Sequence, residues 1–157
     1  MKKTLFAVFL TLVGLNPSTI LADNNFTLIS DNKRYVFNIE DLENEFEQHS
    51  FKTKFYLSKK IETFKGPLII SIIEKYFPNL NSEYLLISAN DGFKKKINLG
   101  HIKKENVILA TQINSKPISL EQRGPILMAV EESIATKNKH GHAANWMWFV
   151  EKIEVSQ

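Results

Sequence analysis

The chain predicts an α+β domain rich in short strands. Three observations carry that expectation. Leu85 to Glu131 holds three apolar, strand-like runs separated by turn chemistry at Asn90-Asp91-Gly92, Asn114-Ser115 and Arg123-Gly124-Pro125. Residues 68–77 repeat apolar side chains at 3–4 spacing, the pattern of an amphipathic helix laid on a sheet. Aromatic residues reach 11%, with eleven Phe, which suits packing on pleated surfaces.

The first residues read as a leader rather than as fold. Met1-Lys2-Lys3 is positive, Leu5 to Leu15 is apolar, and Ile20-Leu21-Ala22 precedes Asp23. A charged start, a short apolar core and a small residue at the cut describe a secretory signal peptide over residues 1–22. The apolar run is too short for a stable span of about 20 residues. The expected mature chain, 23–157, is one domain in the periplasm, with no stable membrane insertion. Losing Lys2 and Lys3 nearly balances its charge at about +1, since only two of the twenty basic residues go while all 17 acidic ones stay. No global attraction to nucleic acid follows.

Zero cysteines in 157 residues exclude disulfides, a thiolate nucleophile, Cys-zinc sites and iron–sulfur clusters. A Cys-free exported domain is held by packing alone.

In chain order, residues 26–39 alternate around Asp31-Asn32-Lys33 and predict a hairpin. Asp41-Leu42-Glu43 opens a short helix ending near Glu47, its acids at the positive end of the helix dipole. Phe51 to Leu57 alternates as a strand, and Lys59, Lys60 and Glu62 make a polar loop. Gly66 suits a tight turn there, and Pro67 the first position of the 68–77 helix, which Pro78 and Asn79 end. Residues 85–99 form a hairpin around Asn90-Asp91-Gly92, because Gly accepts positive φ and Asx side chains bond back to the backbone. Gly100 to Glu105 is a polar connector of about one helical turn. Val107 to Ile113 is one strand, Asn114-Ser115-Lys116 turns into Pro117-Ile118, and Ile126 to Val130 is another strand. Residues 133–145 lack apolar periodicity and read as a surface loop. Trp146 to Val155 closes the chain, aromatic at first and then strand-like.

These residues together resemble the oxidoreductase molybdopterin-binding domain, the fold of the sulfite oxidase catalytic domain. F-K-G-P-L-I-I-S-I-I at 64–73 is similar to the family's F-x-G-V-P-L-x-x-L-L. A-N-D-G-F at 89–93 resembles its D-G-Y turn, and residues 107–118 resemble its L-A-x-x-x-N-G-x-P-L segment. R-G-P-I-L-M-A-V at 123–130 and W-M-W-F-V-E-K-I-E-V at 146–155 follow in the family's order. The resemblance spans residues 50–155 and implies a β-rich α+β fold of several short sheets. It also implies a molybdenum–pterin cofactor held by a Cys thiolate ahead of the 68–77 helix. Residues 50–64 hold no Cys, and a hydroxyl such as that of Thr53 is a poor neutral substitute. The R-L of the family's G-G-P-L-R-L is Leu127-Met128 here, so the basic side chain is absent, with Arg123 before the Gly instead. These departures point away from cofactor binding and redox catalysis.

The candidate ligand-binding residues are Thr53, Asn90, Asp91, Lys95, Arg123, Trp146 and Trp148. Asp91 sits at a hairpin tip, where it either orients a ligand or simply forms the turn. Lys94, Lys95 and Lys96, with Lys103 and Lys104, offer cations for an anion, but strand neighbours alternate between faces. Arg123 could present a bidentate fork to a carboxylate or phosphate. Trp146 and Trp148 fall on one side of an extended chain and suit a pocket, an interface or the core. His140 and His142 form the one metal suggestion, two imidazoles with no identifiable third ligand. No nucleophile elbow, phosphate loop or H-E-x-x-H occurs.

The expectation is therefore a non-catalytic exported protein that binds a small ligand or a protein partner such as a membrane sensor. A concave area between residues 90–96, Arg123 and residues 138–148 is the expected place. The alternatives are an oxidoreductase, or a subunit of one, that keeps molybdopterin without the thiolate, and an assembly protein using the Trp-rich end.

Overall fold

Two four-residue strands with every position buried form the wall between two hydrophobic cores. The computed structural model describes residues 25–30, 33–55, 57–131 and 146–155. The expected export signal and the 133–145 loop, with His140 and His142, lie outside them. The wall strands are β7 (Val107–Ala110) and β10 (Leu127–Val130), antiparallel, with Leu109 opposite Met128 and Ile108 opposite Ala129. Alternate side chains of a strand point to opposite faces. Val107, Leu109, Met128 and Val130 thus enter one core, and Ile108, Ala110, Leu127 and Ala129 the other. Burial on both faces explains why these strands read as unbroken apolar runs.

The larger core lies against a five-stranded sheet. In chain order its strands are β1 (Phe26–Ser30), β2 (Lys33–Phe37), β5 (Tyr84–Ala89), β6 (Lys94–Asn98) and β11 (Val150–Val155). Their spatial order is β2-β1-β11-β5-β6, with β1 and β11 parallel and the other pairs antiparallel. Helices α2 (Ile69–Tyr76) and α3 (Leu99–Lys104) add Ile69, Ile72, Ile73, Leu99 and Ile102 to this core.

The smaller core lies against a four-stranded sheet ordered β3-β4-β8-β9. These strands are Gln48–Lys54, Ile61–Pro67, Gln112–Ile113 and Lys116–Pro117. Phe55, Phe64, Ile113, Ile118 and Trp146 fill it.

Helix α1 (Ile39–Asn44) starts earlier than the acidic residues suggest. Asn38 is its N-cap. The Asp41 amide donates to the Asn38 side chain, and the Asn38 amide donates to the Asp41 carboxylate, both at 2.8 Å. This reciprocal box satisfies two amides that a helix start leaves free.

Other boundaries also move. Strand β3 lies three residues before the expected 51–57, and the polar stretch around Glu62 already belongs to β4. The connector after Gly100 is α3, capped when the His101 amide donates to the Asn98 side chain. Gly66 and Pro67 are not a turn and a helix start: both lie in β4. A Cβ on Gly66 would stand 2.7 Å from the Leu109 carbonyl carbon and 2.8 Å from Ala110 Cα. The glycine is there so that β4 can run against β7 without a side chain between them. Pro67 lies beyond the two residues of β4 that pair with β8, so no ladder bond on that side requires its amide.

The expected single strand 107–113 is two strands in different sheets. The break is Thr111, which is buried; its amide donates to the Lys65 carbonyl at 3.0 Å and its carbonyl accepts from the Ile118 amide at 3.1 Å. Its hydroxyl donates to Glu43 Oε1 at 2.7 Å, and Gln112 Nε2 donates to the same oxygen at 2.8 Å. Helix α1 is thereby tied to the point where the chain changes sheets. Asn114 and Ser115 then turn with φ of 51° and 63°. Two successive positive φ values are the signature of a tight hairpin turn.

Candidate ligand site

The Asn90-Asp91-Gly92 turn forms as its residues dictate. Gly92 has φ 87°. The Gly92 amide donates to the Ala89 carbonyl at 3.0 Å, and the Phe93 amide donates to Asp91 Oδ1 at 3.0 Å. The side-chain bond is an Asx turn, so half of the Asp91 carboxylate serves the backbone.

Backbone bonds tie this turn to two distant segments. The Asn90 amide donates to the Phe149 carbonyl, and the Phe149 amide donates to the Arg123 carbonyl, each at 3.0 Å. Phe149 and Arg123 reach these positions with φ of 51° and 65°. Met147 bridges to Met128 through amide–carbonyl bonds of 3.3 and 2.9 Å. Met147 enters the larger core, so Trp146 and Trp148 are turned toward the smaller one.

The indoles stack there, with centroids 5.7 Å apart and planes 26° from parallel. The Phe55 ring lies 5.9 Å from each. Trp146 is buried against Phe64 at 5.0 Å, whereas Trp148 is half-buried.

Beside the stack is a cavity of about 270 Å³, lined by Asp91, Phe93, Trp146, Met147 and Trp148. Ligand sites for drug-sized molecules run from about 300 to 1,000 Å³, so this one suits a small molecule. Phe93 is 57% exposed, a large apolar ring left at the surface of the site. Sequence reasoning named Asp91 and both tryptophans but passed over Phe93. Its signal was an aromatic directly after the turn glycine.

The other candidates are elsewhere. Asn90 borders a separate cavity of about 340 Å³ on the outer face of the five-stranded sheet, with Arg34 and Lys152. Arg123 is exposed and does not line the Trp cavity. Thr53 is buried on β3, on the same side of that strand as Phe51 and Phe55. Lys95 pairs with Ile87 and so points with the core side of its sheet. Burial pushes its ammonium pKa below the ordinary value of 10.5, because charge is costly away from water. Lys96 points the other way, over the Tyr84 ring at 4.2 Å, and Lys103 lies 3.6 Å from Glu74. The lysines are not one anion patch.

The residues present do not fit a thiolate-anchored molybdenum. The chain has no Cys, and Thr53 in the matching segment supplies only a neutral hydroxyl. Among the described residues no three His, Asp or Glu side chains gather as a metal site.

No protein-family model matches the sequence, and no curated protein matches it. Among solved structures, the sulfane dehydrogenase SoxCD from Paracoccus pantotrophus is similar in fold, with a TM-score of 0.62 over 86% of this chain at 12% identity. This chain spans 38% of that protein's chain, so the similarity is of architecture and covers a minor part of the larger protein.

Proposed function

We propose that this chain is an exported, non-catalytic binding protein that keeps a sulfite-oxidase-type scaffold and holds a small molecule beside Trp148. The observation that carries the reading is the cavity between the Asp91 turn and the stacked tryptophans. Its described residues combine an apolar aromatic lining with the Asp91 carboxylate, the few-polar-groups pattern of small-molecule sites. The Cys-free segment ahead of α2 supports binding over redox chemistry, because the scaffold's expected metal ligand is missing. In this reading a periplasmic partner, such as a membrane sensor, reads the ligand-bound state.

The fold similarity to a dehydrogenase supports a second reading, a molybdopterin-dependent oxidoreductase or a subunit of one. Two measurements on protein purified from molybdate-fed cells separate them. A panel of small metabolites at 100 times Kd should stabilise the protein by about 2.7 kcal/mol for a true ligand. That corresponds to a rise in Tm of several degrees. Molybdenum near one atom per chain would instead establish the oxidoreductase reading.

A further inference from the structure

The lining of the Trp cavity also specifies the charge of its occupant. Of the five described residues that line it, three are aromatic: Phe93, Trp146 and Trp148. Among the described residues the only charged one is Asp91, and none of the described Lys or Arg side chains borders the space. Asp91 Oδ1 accepts the Phe93 amide, and the carboxylate forms no ion pair with any described residue. Among the described residues, then, nothing compensates its negative charge beside this aromatic lining.

Aromatic faces carry negative quadrupole density and attract cations within about 6 Å, Trp most strongly. A carboxylate beside them adds a Coulombic term of the same sign. An anion would meet repulsion from Asp91 and from the ring faces together. A neutral apolar ligand would be tolerated but would leave the carboxylate without a role. A strongly hydrated ammonium such as that of Lys would lose more hydration than the apolar lining returns. A methylated ammonium keeps its charge while presenting methyl groups to the rings.

We infer that the cavity binds a small organic cation, a quaternary ammonium headgroup on a short chain, with Asp91 as counter-charge and Phe93 and Trp148 as the aromatic walls. This rests on reading the cavity as a ligand site. The aromatic walls would select for methylated nitrogen, and Asp91 would select for charge.

The chain has two tryptophans and both lie at this site, so its intrinsic indole fluorescence reports on nothing else. The experiment titrates the full chain with choline chloride and, separately, with its neutral isostere 3,3-dimethylbutan-1-ol, against potassium chloride at matched ionic strength. Choline should shift or quench the emission and raise Tm, with the isostere binding at least about tenfold more weakly. Asp91→Asn keeps an oxygen for the Phe93 amide, so the turn survives while the charge goes; choline affinity should fall about tenfold and isostere affinity should not change. Phe93→Ala, at an exposed position, should weaken choline binding without lowering Tm of the free protein.

Equal affinity for choline and its isostere, or choline binding unaffected by Asp91→Asn, would overturn the cation inference and leave the cavity standing as a ligand site. No response to choline, with a response to another metabolite in the wider panel, would do the same. No response to either probe or to the panel would overturn the cation inference and the binding reading together.

Discussion

Trp146 and Trp148 stack on each other at 5.7 Å and both border the cavity, yet Trp146 is buried in the smaller core while Trp148 is only half-buried. The residue between them, Met147, is pinned to Met128 and enters the opposite core. A two-residue spacing thus places one indole behind the other, the inner one holding the outer in position.

The two should separate on substitution. Trp146→Ala removes a buried ring packed on Phe55 and Phe64 and should cost about 3–5 kcal/mol of unfolding free energy. Trp148→Ala, at a half-buried position, should cost about 1–2 kcal/mol and abolish small-molecule binding. Urea unfolding followed by circular dichroism measures both without relying on indole emission. Equal losses would mean that the two rings share one structural role.

At Gly66 the neighbour is backbone rather than a flexible side chain, so β4 and β7 would have to part to admit a methyl group. Gly66→Ala should destabilise the protein by about 3 kcal/mol or more, in the exceptional range for one added carbon. A urea midpoint unchanged from wild type would show that the two strands can separate at little cost.

Glu43 receives two bonds on one oxygen, from Thr111 and Gln112, 68 and 69 residues further along the chain. Glu43→Ala leaves the buried Thr111 hydroxyl unpaired and should cost about 1–3 kcal/mol. Glu43→Gln retains a carbonyl acceptor and should recover most of that loss. Amide exchange at Thr111 and Ile118 should accelerate in the Ala variant and stay slow in the Gln variant.

Lys95 makes stability depend on alkaline pH. Its folded pKa lies below the unfolded value near 10.5, so the unfolded chain binds more protons between the two. The penalty for burying the charge is complete below the folded pKa and is relieved as pH rises toward 10.5. Lys95→Met keeps the apolar stem and removes the charge. The variant should be more stable than wild type at pH 7, by up to about 1 kcal/mol given the residue's partial exposure. That advantage should shrink as pH approaches 10.5. A constant difference from pH 7 to 10.5 would place the Lys95 ammonium in water.

How much was legible in the sequence varies by element. The 85–99 hairpin was readable because its turn is built from local terms: Gly φ, an Asx bond and alternation on either side. The 68–77 helix was readable from its period. Positions of Gly66, Thr111 and Glu43 were not readable, since each answers to a partner brought close only by folding. Gly66 as a turn was the reasonable local expectation, and the Leu109 backbone overrode it. The same division holds at the site, where Trp146 and Trp148 announced themselves by spacing, but nothing in the chain said that Asn90 and Asp91, adjacent residues of one turn, would open onto different cavities.

The sequence by itself determined the strand-rich α+β class, the turns at Asn90-Asp91-Gly92 and Asn114-Ser115, the aromatic pair and the absence of any thiolate. All of these depend on residue type and short-range spacing, where the physics is steric and local. The tertiary structure alone decided that β7 and β10 divide two cores, that the 107–113 run breaks between two sheets, and that Asp91 faces Phe93 and the indoles while Arg123 and Lys95 do not. Those outcomes depend on which faces bury together, and that free energy exists only once distant segments have met.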